Sequence, residues 1–261
     1  MTRGYASDLA YIHDVGFGNF AEHSAKFLLR LLAHRGQAKL HSPLAPLAGR
    51  GTGGEGQKLI IDLGCGSGIL ARELVAAGYR VLGIDHSPAM IAIAREKAPG
   101  ADFQTGSCLN AEIPRCVAVT AIGEIFSYLF DRGNNSRSLL KLFHRVYGAL
   151  ERGGLFVFDV AAPGRAGGAG EQKSYREGAD WAVLVTTKED DGRRLLTRLI
   201  TSFRQVGRHY RRDEEVHELR LFERADLTGQ LRSVGFRVRP LAGYGQLRFV
   251  RGHIGFLARK V

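Results

Sequence analysis

The chain has 261 residues, which at roughly 100–200 residues per domain allows one large domain or a core with an appendage. Apolar types make up 44% and charged types 24%, ordinary globular proportions, so a sizeable core is expected, the chain need not be disordered, and fibrous, collagen-like and disulfide-scaffold classes are excluded. Lys and Arg number 37 against 26 Asp and Glu, a formal charge of +11 that favours an anionic partner without specifying one.

In chain order, the opening MTRGYASDLAYIHD lacks the apolar run of a secretion signal. No later stretch approaches the ~20 apolar residues of a membrane span, and the expectation is a cytoplasmic protein with no membrane partner. Tyr5, Tyr11, His13, Phe17 and Phe20 form an aromatic cluster. From Asn19 to His34, Phe20, Phe27, Leu28, Leu31 and Leu32 recur at helical spacing, which predicts an amphipathic helix and an N-terminal helical cover over residues 1–34. Residues 35–57, rich in Pro, Gly and small polar types, read as a flexible loop.

Residues 58–163 alternate short apolar runs with helical patterns: LIIDLG, GILARELVAAG, YRVLGIDHS, PAMIAIAREKA, then CVAVTAIGEIF, SRSLLKLFHRVYGAL and GGLFVFDVA. That rhythm predicts a doubly wound α/β fold, because strands apolar on both sides need helices on both faces of a parallel sheet. Over 164–223 the pattern changes to a flexible RAGGAGEQ and then WAVLVTTKE, RLLTRLITSFRQ and HYRRDEEVHELRLF, expected as three antiparallel strands with a turn at Asp190-Asp191-Gly192. Such an insertion suits a substrate lid. Residues 224–261 return to a helix, ERADLTGQLRSVG, and two strands, FRVRPLAGYG and HIGFLARKV, that complete the sheet.

The informative motif is Asp62-Leu63-Gly64-Cys65-Gly66-Ser67-Gly68, where an apolar strand runs through a glycine turn into a helix. Glycine permits the tight turn and lets a ligand approach the backbone, and ligands of open α/β sheets bind outside the carboxyl ends of the strands. Asp85 ends the next strand, 17 residues beyond Gly68, where a carboxylate can accept hydrogen bonds from both ribose hydroxyls of an adenosine-containing cofactor. The spacing is G-x-G-x-G rather than the dinucleotide G-x-G-x-x-G, and Asp62 beside the turn would repel a pyrophosphate. Both features count against a nicotinamide-dependent oxidoreductase and suit a ligand bearing an ammonium group.

At these residues the sequence resembles the class I S-adenosylmethionine-dependent methyltransferases, in their small-molecule branch, over about Leu59 to Val160 and more loosely in the last strands. The resemblance implies a seven-stranded Rossmann-like methyltransferase sheet and S-adenosyl-L-methionine as cofactor. It implies that Asp62, Gly64, Cys65, Gly66 and Gly68 hold the methionine portion and Asp85 the ribose, with His86 and Met90 close by. Gly106, Ser107 and Cys108 then lie beside the adenine, with Ser107 where the family commonly has an acid. Gly123 closes the fourth strand, and Tyr11 is expected to fold over the cofactor. No metal is implied.

Methyl transfer from a sulfonium needs chiefly alignment, and orientation can supply roughly 7–11 kcal/mol of the barrier. Glu124, at the end of the fourth strand, is the first candidate for substrate orientation or proton acceptance; its bland alternative is a carboxylate capping a helix or balancing an arginine. Tyr128, a turn later, is the second. Replacing Glu124 with Gln is expected to lower turnover with little loss of cofactor affinity. His209, His217 and His253 lack metal-ligand spacing and read as surface or strand residues, and Cys65, Cys108 and Cys116 as small fillers. The expected partner is a small-molecule methyl acceptor, with nitrogen and oxygen both open. The alternatives are an RNA methyltransferase and a non-catalytic cofactor-binding partner protein. Against nucleic acid, no Asn/Asp-Pro-Pro-aromatic segment follows the fourth strand, and the Arg-rich stretch from Arg204 to Arg220 is interrupted by acids, which suggests a solvated strand pair. The oligomeric state is not readable.

Overall fold

The structure, a computed structural model, describes residues 4–39, 57–167 and 170–261. Most of the predicted loop at 35–57 lies outside them. The core is a seven-stranded sheet assembled around β1 (Leu59–Leu63), β2 (Arg80–Asp85), β3 (Asp102–Thr105), β4 (Cys116–Ala121) and β5 (Leu150–Ala161), closed by β10 (Phe236–Leu241) and β13 (His253–Lys260). Its order is β10-β13-β5-β4-β1-β2-β3. The first five strands in sequence run parallel, and β13 pairs antiparallel with both β5 and β10. All six residues of β4 are buried, as expected of a central strand covered on both faces.

Four helices flank the sheet: α3 (Ile69–Ala76), α4 (Pro88–Lys97), α5 (Ser136–Ala149) and α6 (Arg224–Val234). Helix α5 starts at a capping box in which Asn135 and Ser138 satisfy each other's backbone N–H groups. The chain from β3 to β4 forms no helix, so the βα rhythm is less regular than the sequence pattern suggests.

The insertion is a four-stranded antiparallel sheet, β6 (Gln172–Glu177), β7 (Trp181–Asp190), β8 (Leu195–Val206) and β9 (His209–Arg220). Strand β6 was not expected: every residue of QKSYRE is exposed, so no apolar alternation marks it. A short hairpin of β11 (Gly243–Tyr244) and β12 (Leu247–Arg248) separates the last two core strands.

The predicted helix beginning at Asn19 extends further than expected, as α2 (Asn19–Lys39), and it packs Ala25, Leu28 and Leu32 against the core. A second helix precedes it. Of the aromatic cluster, Tyr11 and His13 lie on α1 (Ser7–Gly16), which buries Leu9, Ala10 and Ile12 and joins Trp181, Val183 and Ile200 of the insertion in one cluster. Among the described residues no helix is long and apolar enough to cross a membrane.

Candidate active site

A cavity of about 1030 Å³ lies between the carboxyl ends of the parallel strands and the antiparallel sheet. That volume exceeds the roughly 300–1,000 Å³ of ordinary ligand pockets and leaves room for two molecules side by side.

At the core end, β1 delivers Asp62 and the glycine turn. Asp62 is buried; its Oδ1 accepts from Thr120 Oγ1 at 2.7 Å, while Oδ2 is buried without a partner. Burial, opposed in part by the Thr120 hydrogen bond, pushes this carboxyl up to about 7. Gly64 and Gly66 both hold positive φ for different reasons. A Cβ on Gly64 would collide with Ile125, whereas one on Gly66 would meet nothing within 4 Å, so Gly66 borders open space where a ligand can lie against the backbone. Gly68, the N-cap of α3, packs on Ala94 and shapes the turn without lining the cavity.

Asp85 ends β2 with Oδ2 accepting from Gly66 N–H and Oδ1 from Ser87 N–H, both at 2.9 Å. Burial raises its pKa and the two amides oppose the rise. Each oxygen keeps a second lone pair for a sugar hydroxyl. Cys65, exposed His86, buried Met90, Ser107 and Cys108 line the same end. Ser107 donates to Asp131, so an acid is present at this place in space, although the sequence carries it 24 residues later. Gly106 gives its N–H to the Asp85 carbonyl at 2.8 Å and does not line the cavity. Burial raises the thiols of Cys65, Cys108 and Cys116, consistent with inert fillers.

Tyr11 is a correction. Its hydroxyl donates to Asp180 at 2.9 Å, Arg204 lies over its ring, and it borders a shallow pocket on the insertion rather than the large cavity. On α1 it faces the antiparallel sheet, and Tyr5, Leu9, His13 and Phe17 face the cavity instead.

The other end is built around Glu124. Strand β4 stops at Ala121, and Gly123 and Glu124 form a turn with φ of 97° and 63°. A left-handed non-glycine residue costs about 1–2 kcal/mol, and here Asp159 holds the turn by accepting from Glu124 N–H at 2.7 Å and Gly123 N–H at 3.0 Å. Fully buried Asp159 also accepts from Tyr244 Oη and His253 Nε2, each at 2.7 Å. The Glu124 carboxylate takes Arg165 Nε at 2.6 Å on one oxygen and Arg198 at 2.8 Å on the other. Burial alone would raise its pKa, but Arg198 and Arg165 outweigh burial and hold it near 2. Such a carboxylate is a poor proton acceptor and a good anchor for two guanidinium groups, so the arginine-balancing alternative describes what it does here. Tyr128 lines the cavity with its hydroxyl 3.1 Å from Tyr5 Oη and 3.3 Å from Arg198.

Sequence reasoning missed Asp159, Arg198 and Glu215; the three histidines are strand residues, as expected, but two of them are not at the surface. His217 is fully buried, and His253 is buried at the side chain against Asp159; of the three, only His209 is an exposed strand residue. One signal was available: Asp159 and Arg198 are lone charges inside apolar strand runs, FVFDVAA and LLTRLIT. On β9, Glu215, His217 and Leu219 alternate inward, which makes the last part of the strand a buried face rather than a solvated one. Among the described residues no group of three or more His, Cys, Asp or Glu is placed to hold a metal.

A family model described as a methyltransferase domain matches residues 60–154, the stretch that carries the glycine turn, Asp85 and the Gly123–Glu124 turn. The whole chain superposes on a crystal structure of an S-adenosylmethionine-dependent methyltransferase from Clostridium acetobutylicum with a TM-score of 0.72, 19% identity and 96% coverage of each chain. Residues 60–154 thus match a methyltransferase domain, and the chain has the fold of S-adenosylmethionine-dependent methyltransferases. The chain also matches the fold of the sugar N-methyltransferase KedS8 of a Streptoalloteichus species, with a TM-score of 0.72, 17% identity, and coverage of 100% of this chain and 96% of the other. In sequence, a Geobacillus sp. (strain WCH70) protein named as a methyltransferase is 34% identical over 113 residues, 41% of this chain and 44% of that protein. The match thus spans less than half of that relative. S-adenosylmethionine fits what the site offers: a buried carboxylate oxygen without a partner for an ammonium, open space at Gly66, and an acid at the ribose position.

Proposed function

We propose that this chain binds S-adenosylmethionine across the glycine turn and methylates nitrogen or oxygen of a small molecule held beneath the antiparallel sheet. The observation that carries the reading is the unpartnered, buried Oδ2 of Asp62, in the same cavity as the Glu124–Arg165–Arg198 cluster. An unpaired buried carboxylate is costly, and a ligand ammonium would satisfy it. Asp85 would hold the ribose, and the region of Ser107 and Asp131 the adenine. Bound there, the cofactor supplies an electrophilic methyl group. The chain's own work is to orient the acceptor and exclude water: Arg165 and Arg198 are fixed by Glu124, and α1 with the antiparallel sheet covers the acceptor end. The position of the cavity between the two sheets and the likeness to a sugar N-methyltransferase support a small acceptor over a polynucleotide.

Calorimetry with S-adenosylmethionine and S-adenosylhomocysteine tests the first half, with binding expected for both and lost in a Gly66→Val variant. Incubation with methyl-labelled cofactor and a fractionated small-metabolite extract tests the second. Label is expected in a low-molecular-weight fraction. Binding of neither nucleoside would overturn the cofactor reading, and label entering only added RNA would overturn the acceptor reading.

A further inference from the structure

The lid side of the cavity holds a titratable pair to which the reading above gives no role. Glu215 and His217 stand two apart on β9 and face inward together, with side chains 5% and 1% exposed. Glu215 accepts from His217 Nε2 and from the backbone N–H groups of Tyr5 and Ala6, each at 2.8 Å. A carboxylate can only accept, so the neutral imidazole carries its proton on Nε2 and its lone pair on Nδ1. That Nδ1 is buried and has no partner, and His217 lines the cavity.

The rings around the imidazole are those of Phe130, Tyr5 and Tyr128, with centroids 4.8, 5.0 and 5.8 Å away. The ionisable groups facing the site are Glu215 on β9, His13 on α1, Tyr5, Tyr128, and Arg198 on β8, which bonds the Tyr128 hydroxyl. His13 also has an unpartnered Nδ1, but it has no carboxylate hydrogen-bonded to it among the described residues, and burial, opposed by nearby Asp14, lowers its pKa to about 4. Glu124 is committed to two arginines. A base that becomes positively charged on accepting a proton needs a fixed negative partner, and among these groups His217 has one in hydrogen-bond contact.

We propose that His217 Nδ1 takes the proton of the methyl acceptor's nucleophile, with Glu215 as the positioning residue that sets the tautomer and stabilises the imidazolium. The proposal rests on the methyltransferase reading above. In the step, the acceptor's N–H or O–H bond breaks and its proton passes to Nδ1. The freed electron pair forms the bond to the methyl carbon, the carbon–sulfur bond breaks, and its pair stays on sulfur as a thioether; the imidazolium later returns its proton to water. The Tyr5 ring lies against the imidazole, so a small shift of that ring admits the acceptor, in keeping with catalytic hydrogen bonds that tighten only once substrate is bound.

The test uses the full chain labelled with 15N at histidine and loaded with S-adenosylhomocysteine. His217 signals are assigned by their disappearance in His217→Asn or, should that variant fail to fold, His217→Gln. At neutral pH the spectra are expected to show a proton on Nε2 and none on Nδ1, and acidification should protonate Nδ1. In Glu215→Gln the preference for Nε2 should be lost. A proton on Nδ1 at neutral pH, or an Nδ1 that takes none before the protein unfolds, would overturn the proposal whatever acceptor is used. Methyl uptake by the active metabolite fraction should fall at least about 100-fold in His217→Asn, the low end of general-base effects. Undiminished uptake would equally overturn it. Wild-type protein that binds no S-adenosylhomocysteine fails the cofactor reading itself and takes the proposal with it, whereas normal binding with unaltered uptake in the variant removes His217 alone.

Discussion

The two ends of the cavity are built on different principles. At the core end, consecutive residues of one strand and one turn shape the site: Asp62, Gly64, Gly66 and, one strand over, Asp85 are placed by backbone geometry, and their partners are amides and a single hydroxyl. At the lid end, charged side chains from distant strands hold one another, Glu124 with Arg165 and Arg198, and Glu215 with His217 and the N-terminal amides. The core end is therefore rigid and general, because a glycine turn offers few ways to be rebuilt. The lid end depends on mutual neutralisation, so removing any one member exposes the others.

The largest effect that would break this contrast is expected from Glu124→Ala. It leaves two mostly buried arginines uncompensated, and removing one partner of a buried ion pair typically costs about 3–5 kcal/mol. Urea unfolding should show a loss of that order, and a loss no greater than that of an exposed glutamate would mean the cluster is dispensable. The Glu124→Gln variant should lose stability along with turnover, so its activity must be read against its unfolding curve.

Asp62 sharpens the comparison through pH. Its carboxyl titrates near 7 in the fold against an ordinary value of 3.8, so between these limits the folded state holds the extra proton. The contribution of Asp62 to the stability of the ligand-free protein is thus fully present below 3.8 and lost as pH rises through about 7. Asp62→Asn escapes that loss. At pH 8 it should exceed the wild type by on the order of 4 kcal/mol, and the gap should close toward pH 4. Equal pH dependence of the two proteins in denaturant titrations would refute the buried, unpaired state.

A smaller effect is expected from Asp85→Asn. Losing a charged acceptor costs about 1.5–3 kcal/mol, roughly 10- to 150-fold in S-adenosylhomocysteine affinity by calorimetry. Retained affinity would move the ribose site elsewhere. The smallest is Tyr11→Phe, which removes one hydroxyl bond to Asp180 and should cost about 0.5–1.5 kcal/mol in thermal unfolding while leaving nucleoside binding unchanged. A marked drop in binding would return Tyr11 to the cofactor site.

The same contrast explains what could be read in the sequence. The sheet, its helices and the core half of the cavity were legible because they are written in contiguous patterns: apolar runs, a G-x-G-x-G turn and an acid one strand later. The lid half was not, because its meaning lies in pairs far apart in sequence. Arg198 makes sense only beside Glu124, 74 residues away, and Glu215 only beside Tyr5, 210 residues away. Strand β6 escaped because it is wholly exposed, and α1 because its buried face is only Leu9, Ala10 and Ile12, too few to establish a helical period. Tyr11 departs from the expectation because its partners, Asp180 and Arg204, lie in the insertion and well over a hundred residues away in sequence.

One carboxylate links these halves. Asp159 receives four donors, from two adjacent amides of the Gly123–Glu124 turn, from the β11–β12 hairpin and from the first residue of β13. Without it, the turn that aims Glu124 at its arginines would lose the clasp that offsets its backbone strain, and the last strand of the chain would lose its link to the fourth. A single buried acid on the core sheet thus acts as the hinge pin that keeps the Glu124 turn, the short hairpin and the final strand in step with one another.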